Sequence, residues 1–154
     1  MKIIVINGVN INLMGQEPQE INGSLTLDKL EEYITNIAKE MDIELDFFQS
    51  NIEGEIVNKI HNCKNVYDGI LVNLGSYSFT SFAIADAITN THIPTIELMM
   101  NNFSFYNDKR KKGSVVLPSC LGLISGFGPF VFQLGLLSMH NAIIEIDLLR
   151  KNSK

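Results

Sequence analysis

Lys2-Ile3-Ile4-Val5-Ile6-Asn7-Gly8-Val9-Asn10-Ile11-Asn12-Leu13-Met14-Gly15 begins as a β-branched apolar run and breaks abruptly into Asn and Gly. Residues 2–6 are apolar almost throughout, with no alternation of apolar and polar positions. That pattern predicts a strand covered on both faces, as in the interior of a parallel sheet. Residues 7–15 then read as a loop, because Asn and Gly both tolerate positive φ. A buried strand that empties into a polar loop is the unit from which the rest of the chain is read.

The unit recurs, separated by segments of helical period. Leu27, Leu30, Ile34, Ile37, Ala38 and Met41 recur at three- and four-residue steps and make one helix face, with Thr26 placed to cap it ahead of Asp28. Residues 44–48 predict a second strand, and Ile56, Ile60 and Cys63 mark a second helix. Gly69–Asn73 predicts a third strand and residues 81–91 a third helix, with Ala83, Ile84, Ala87 and Ile88 expected inward. Pro94 stops that helix before a fourth strand, Thr95–Met99, and Gly122–Ser125 is the fifth. Pro129 suits the start of a last helix running to about Leu149. Strand and helix alternate with no linker or repeat, so residues 1–154 are expected to form a single domain. The expected class is α/β, a flavodoxin-like three-layer sandwich with a five-stranded parallel sheet. Right-handed crossovers restrict its topology further.

A chain of 154 residues can bury about 70% of its unfolded surface. Its hydrophobic content of 45% and charged content of 19% are those of a globular protein rather than a disordered one. The net charge of −5 argues against a nucleic-acid partner, which requires a basic surface. Lys109-Arg110-Lys111-Lys112 is a local exception, read as a solvated loop or, more sharply, as a rim for an anionic ligand. Cys63 and Cys120 form no Cys-x-x-Cys motif and read as two reduced structural thiols of a cytoplasmic protein. Gln133, His140, Asn141 and Glu145 interrupt the apolar C-terminal stretch, so no membrane association is expected. The N-terminal apolar run is likewise too short for a signal peptide.

Open parallel sheets bind ligands beyond the carboxyl ends of their strands. Residues 7–15, 49–53, 73–81 and Asn101-Asn102 would all lie there. Turn formation explains any one of these polar loops; four at one edge predict a pocket. The loop after strand one lacks the glycine spacing of a phosphate or dinucleotide loop. His61, His92 and His140 share no metal-ligand spacing with each other or with the cysteines, so no metal site is expected. No histidine follows a strand at the pocket edge.

Three segments carry a family resemblance: residues 4–15, residues 47–55 (Phe-Phe-Gln-Ser-Asn-Ile-Glu-Gly-Glu) and residues 73–81 (Asn-Leu-Gly-Ser-Tyr-Ser-Phe-Thr-Ser). Together they resemble the type II 3-dehydroquinate dehydratases, and the likeness runs from Lys2 to about Leu137 with one extra residue before Pro118. The resemblance implies elimination of water from 3-dehydroquinate to give 3-dehydroshikimate in the shikimate pathway. It also implies that no cofactor is used and that the chain forms a homo-oligomer, a trimer or a dodecamer. In that family a tyrosinate removes a proton beside the ketone, an arginine favours its charge, and a glutamate-oriented histidine protonates the departing hydroxyl. An asparagine and water stabilise the enolate.

Position by position, the resemblance assigns Asn10 to the enolate side and Asn73 to substrate binding. Glu97 takes the histidine-orienting role, Arg110 holds a substrate hydroxyl, and Asp86 reaches in from a neighbouring subunit. Met100 and Asn101 fall where backbone N–H groups receive the substrate carboxylate. The match then fails at the reacting groups. Asn22 stands for the tyrosine base, Met99 for the histidine acid, and Gln16 or Glu17 for the arginine. Phe79 replaces a second pocket histidine, and Val9 and Leu74 replace loop-stiffening prolines.

An amide does not titrate usefully and a thioether has no proton to give. Asn22-Gly23 also reads simply as a turn. A family member with lost or strongly reduced activity is therefore the first expectation. The alternative is an active dehydratase, or a related lyase on another small cyclic hydroxy acid, with Tyr106 as a rewired base. Tyr77 is the other candidate base but is expected to serve packing. Without a histidine, Glu97 is expected either to be protonated or to pair with Arg110 or Lys109.

Overall fold

The computed structural model describes residues 1–16, 25–102 and 113–152. Five strands, β1 (Lys2–Asn7), β2 (Glu44–Gln49), β3 (Gly69–Asn73), β4 (Thr95–Met99) and β5 (Gly122–Ser125), form one all-parallel sheet ordered β2-β1-β3-β4-β5. Helices α1 (Leu27–Glu40), α2 (Glu53–Asn62), α3 (Phe82–Thr91) and α4 (Phe130–Asn152) cover it. The expected sandwich and strand order are both present.

Alternation along β1 divides the core between the two faces. Ile3 and Val5 pack with Leu30 and Ile34 of α1 and with Phe132, Leu136 and Met139 of α4. Ile4 and Ile6 pack on the other side with Ile56 and Ile60 of α2 and Ile84, Ala87 and Ile88 of α3. β1 and β3 are buried on both faces, as their unbroken apolar runs require. The edge strands β2 and β5 are only partly covered.

Helix starts follow their caps. Thr26 Oγ1 accepts from the Lys29 N–H at 3.4 Å, and Ser81 Oγ accepts from the Ile84 N–H at 3.0 Å. Ser81 is therefore a cap rather than the first helical residue. Ala85 (6% exposed) faces inward on α3 while Ala83 is exposed, which corrects the expected set. The 100° step places Ile84, Ala85, Ile88 and Thr91 on one stripe. Pro129 precedes α4, which continues to Asn152, beyond the expected end, with Arg150 and Lys151 favourably placed in its last turn. Among the described residues no helix is long and apolar enough to cross a membrane.

Candidate active site

β1, β2 and β3 end at one level because their register pairs Asn7 with Gln49 on one side and Asn73 on the other. Three amide side chains thus leave the sheet from adjacent strands. Asn7 and Asn73 are buried, and Asn73 Nδ2 donates to Asn7 Oδ1 at 3.2 Å. Such a bond is what allows two amides to sit in an apolar sheet interior. Gln49 Nε2 donates to the Gly8 carbonyl at 3.2 Å and to Asn51 Oδ1 at 3.1 Å. Asn51 Oδ1 also accepts the Asn10 N–H at 2.8 Å, and the Asn51 carbonyl accepts the Tyr77 hydroxyl at 2.7 Å.

Asn10 has φ 66°, a left-handed conformation that Asn tolerates better than most residues. Its backbone is held by Asn51, and among the described residues its exposed side-chain amide has no hydrogen bond. The structure therefore brings Asn10 and Asn73 to the same sheet edge, as expected. Asn7, Gln49 and Asn51 were not singled out individually; the signal available was the polar residue that ends each apolar run.

Glu97 lies in the middle of β4, fully buried on the α3 side. Ser114 Oγ donates to Glu97 Oε1 at 2.8 Å and accepts the N–H groups of Val116 and Leu117 at 3.1 and 3.0 Å. The neighbouring Val115 N–H donates to the Ser78 carbonyl at 2.8 Å. Glu97 therefore anchors the segment returning to the sheet. Ser78 lies beside the same carboxylate and favours its charge, yet among the described residues neither Ser78 Oγ nor Glu97 Oε2 makes a well-formed hydrogen bond.

Burial pushes the Glu97 carboxyl above the ordinary glutamate range, against the opposing pull of Ser78 and Ser114. Burial and then the Glu97 charge push the nearby Cys120 thiol up to about 12, so that cysteine is unreactive. Ser114 as the partner of Glu97 had no signal in the sequence. The expected alternatives, Lys109 and Arg110, lie outside the described residues.

A raised carboxyl pKa has a definite stability consequence. The folded state binds this proton more tightly than the unfolded state does, so stability falls as pH rises from about 4.3 through the folded pKa. Glu97→Gln keeps a carbonyl oxygen for Ser114 and removes the titration. The variant should be at least as stable as the native chain at pH 7 and lose less stability between pH 4 and 7. Parallel stability–pH curves from denaturant unfolding would refute the raised pKa.

Met99 is two residues from Glu97, on the same face of β4, and is buried. A Glu-x-His pair on a strand would set an imidazole beside this carboxylate; here a thioether occupies the place. Beyond it, the Met99 carbonyl accepts from the Gly126 N–H at 2.9 Å and the Met100 carbonyl from the Gly128 N–H at 3.0 Å. In a trans peptide the C=O and the following N–H point in opposite directions. The N–H groups of Met100 and Asn101 therefore both point away from the segment after β5, an arrangement able to receive a carboxylate.

Asp86 is exposed on the outer side of α3, and among the described residues nothing joins it to the amide cluster. Gln16 is exposed after the first loop. Glu17, Asn22, Tyr106 and Arg110 lie outside the described residues. Tyr77 is half-buried against the α2–α3 core with its hydroxyl committed to Asn51, as its expected packing role requires. Among the described residues no group of His, Cys, Asp and Glu is arranged to hold a metal ion. A separate cleft of about 310 Å³ opens at the amino edge of the sheet, where Lys64 and Arg150 stand against Asp68 and Asp147.

Residues 1–140 match the family described as Dehydroquinase class II. The chain is 41% identical over 150 residues to the 3-dehydroquinate dehydratase of a Nitratiruptor species, covering 97% of this chain and 96% of that one. It is 44% identical over 144 residues to the 3-dehydroquinate dehydratase of Clostridium perfringens, covering 93% of this chain and 99% of that one. The crystal structure of the type II dehydroquinase from Butyrivibrio crossotus superposes with a TM-score of 0.86 at 35% identity, covering 91% of this chain and 97% of that one.

Proposed function

Since the chain belongs to the class II dehydroquinase family, we propose that it keeps the family's ligand-binding edge and has lost most or all of the dehydratase chemistry. The observation that carries this reading is Met99 beside the buried Glu97 carboxylate, on the face where a proton donor would be needed. Elimination of water from 3-dehydroquinate requires a base for the proton beside the ketone and an acid for the departing hydroxyl. Asn22 and Met99 supply neither.

The ligand is a small cyclic hydroxy acid. Its carboxylate meets the Met100 and Asn101 N–H groups, its hydroxyls meet Asn73 and Arg110, and Asn10 faces the ketone side. The protein acts in the cytoplasm as a homo-oligomer in which Asp86 of one copy lies near the site of another. Its exposure on α3 is compatible with that placement.

Incubation of the native protein with 3-dehydroquinate at high enzyme concentration should give no rise in the ultraviolet absorbance of the conjugated enone. Clear turnover would overturn the reading. It would favour the alternative of an active dehydratase with a rewired base, which the intact amide cluster supports. Tyr106→Phe should then abolish that turnover.

A further inference from the structure

Helix α4 is apolar on two faces, only one of which the sheet covers. Val131, Phe132, Leu136, Met139 and Ile143 are buried against the sheet and α1. Phe130, Leu134, Leu137, Ile144 and Leu148 face outward and are between 39% and 59% exposed. With the exposed Asn141 they follow one another in strict steps of four and three residues along the helix. That is the seam of a coiled coil, in which Asn141 occupies an a position. The outer face of a surface helix is ordinarily polar, so this stripe asks for a partner.

We propose that α4 pairs with α4 of a second copy of this chain, parallel and in register, about a two-fold axis running along the helices. In that register the position-141 amides face each other and bond across the seam, in place of the 3.5 Å contact that Asn141 Oδ1 makes with His140 Nδ1 within one protomer; a single a-position Asn selects pairing in this way. His140 of one copy then flanks the seam next to Glu145 of the other, the five-residue offset at which charged flanks meet in parallel pairs. An antiparallel pair would set Asn141 against Leu137, so that the two position-141 amides would not meet across the seam. A membrane surface is a poorer occupant. Glu145 and Asp147 flank the stripe, the basic residues Arg150 and Lys151 are confined to the last turn, and the chain carries a net charge of −5, whereas interfacial helices are flanked along their length by Lys and Arg.

Sedimentation equilibrium of the full chain tests the pairing. Leu137→Glu should leave the far-ultraviolet circular dichroism unchanged, because the residue is half-exposed, and should at least halve the assembly mass. An assembly built only on other surfaces would keep its mass, and that result overturns the proposal. Mild oxidation provides a second test that does not depend on the first variant. Asn141→Cys should give a disulfide-linked dimer, while Glu145→Cys and the native chain should not. No cross-link through position 141, or a monomeric chain that instead sediments with anionic vesicles, also overturns it.

Discussion

The combined variant Asn22→Tyr, Met99→His, Glu17→Arg is expected to form enone from 3-dehydroquinate ~10²–10⁴-fold faster than the native chain. Each substitution restores one demand of the reaction: a phenol able to lose its proton, a cation that favours the phenolate, and a proton donor for the departing hydroxyl. The structure bears most directly on Met99→His. Glu97 Oε1 is taken by Ser114, but among the described residues Oε2 makes no well-formed bond, so it is the oxygen placed to accept an imidazole N–H. The imidazolium would in turn favour the Glu97 carboxylate. Met99→His should therefore flatten the stability–pH profile below about pH 6.5 and, unlike Glu97→Gln, add a fall in stability at higher pH, where the imidazolium held by Glu97 loses its proton. Enone formation by the native chain and the combined variant decides the outcome. A well-folded variant with no gain would mean that the amide cluster, or the position of the restored groups, has drifted from a productive geometry.

Gly8→Ala should be strongly destabilising for a single added methyl, costing ~3 kcal/mol or more of stability. A Cβ at Gly8 would lie 2.3 Å from the Leu74 carbonyl oxygen and 2.7 Å from the Leu74 carbonyl carbon and Cα. These are backbone atoms and cannot swing aside. Their position is fixed by the Gly8 N–H donating to the Asn73 carbonyl at 2.9 Å and by Gly75 (φ 62°), whose own Cβ would meet the Val9 carbonyl at 2.6 Å. The two loops must touch at this point for Asn10 and Asn73 to share an edge. A loss of ~3 kcal/mol corresponds to ~6–12 °C in Tm for a chain of this size. Gly54→Ala is the control. Nothing lies within 4 Å of a Cβ there, and the site is within α2, so it should be neutral or stabilising by up to ~1 kcal/mol. Equal Tm values for the two variants would refute the steric argument.

Strand and helix positions were legible because they depend on local periodicity. Unbroken apolar runs at β1 and β3 reported burial on both faces, and Leu30, Ile34 and Ala38 reported one helix stripe. Even so, Ala83 and Ala85 could not be told apart, since two alanines two residues apart carry the same hydrophobic signal. The stripe on α4 was hidden for a related reason: a helix apolar on two faces has no preferred side until the sheet occupies one of them.

The site divides along the same line. Asn7, Gln49 and Asn73 each end an apolar run, so their shared edge follows from chain order together with the parallel register. The replacement of acid and base by Met99 and Asn22 is likewise a matter of residue identity. What only the tertiary structure decided is whom these groups meet. Ser114 is seventeen residues from Glu97 and reaches it because the returning segment hydrogen-bonds to the Ser78 carbonyl. The Met100 and Asn101 N–H groups share a direction because Gly126 and Gly128 hold the carbonyls before them. Sequence determined which groups this protein has and which it lacks, because side-chain chemistry and periodicity are local. Partnership, burial and direction depend on contacts between distant segments, and these exist only once the sheet and its loops have closed on one another.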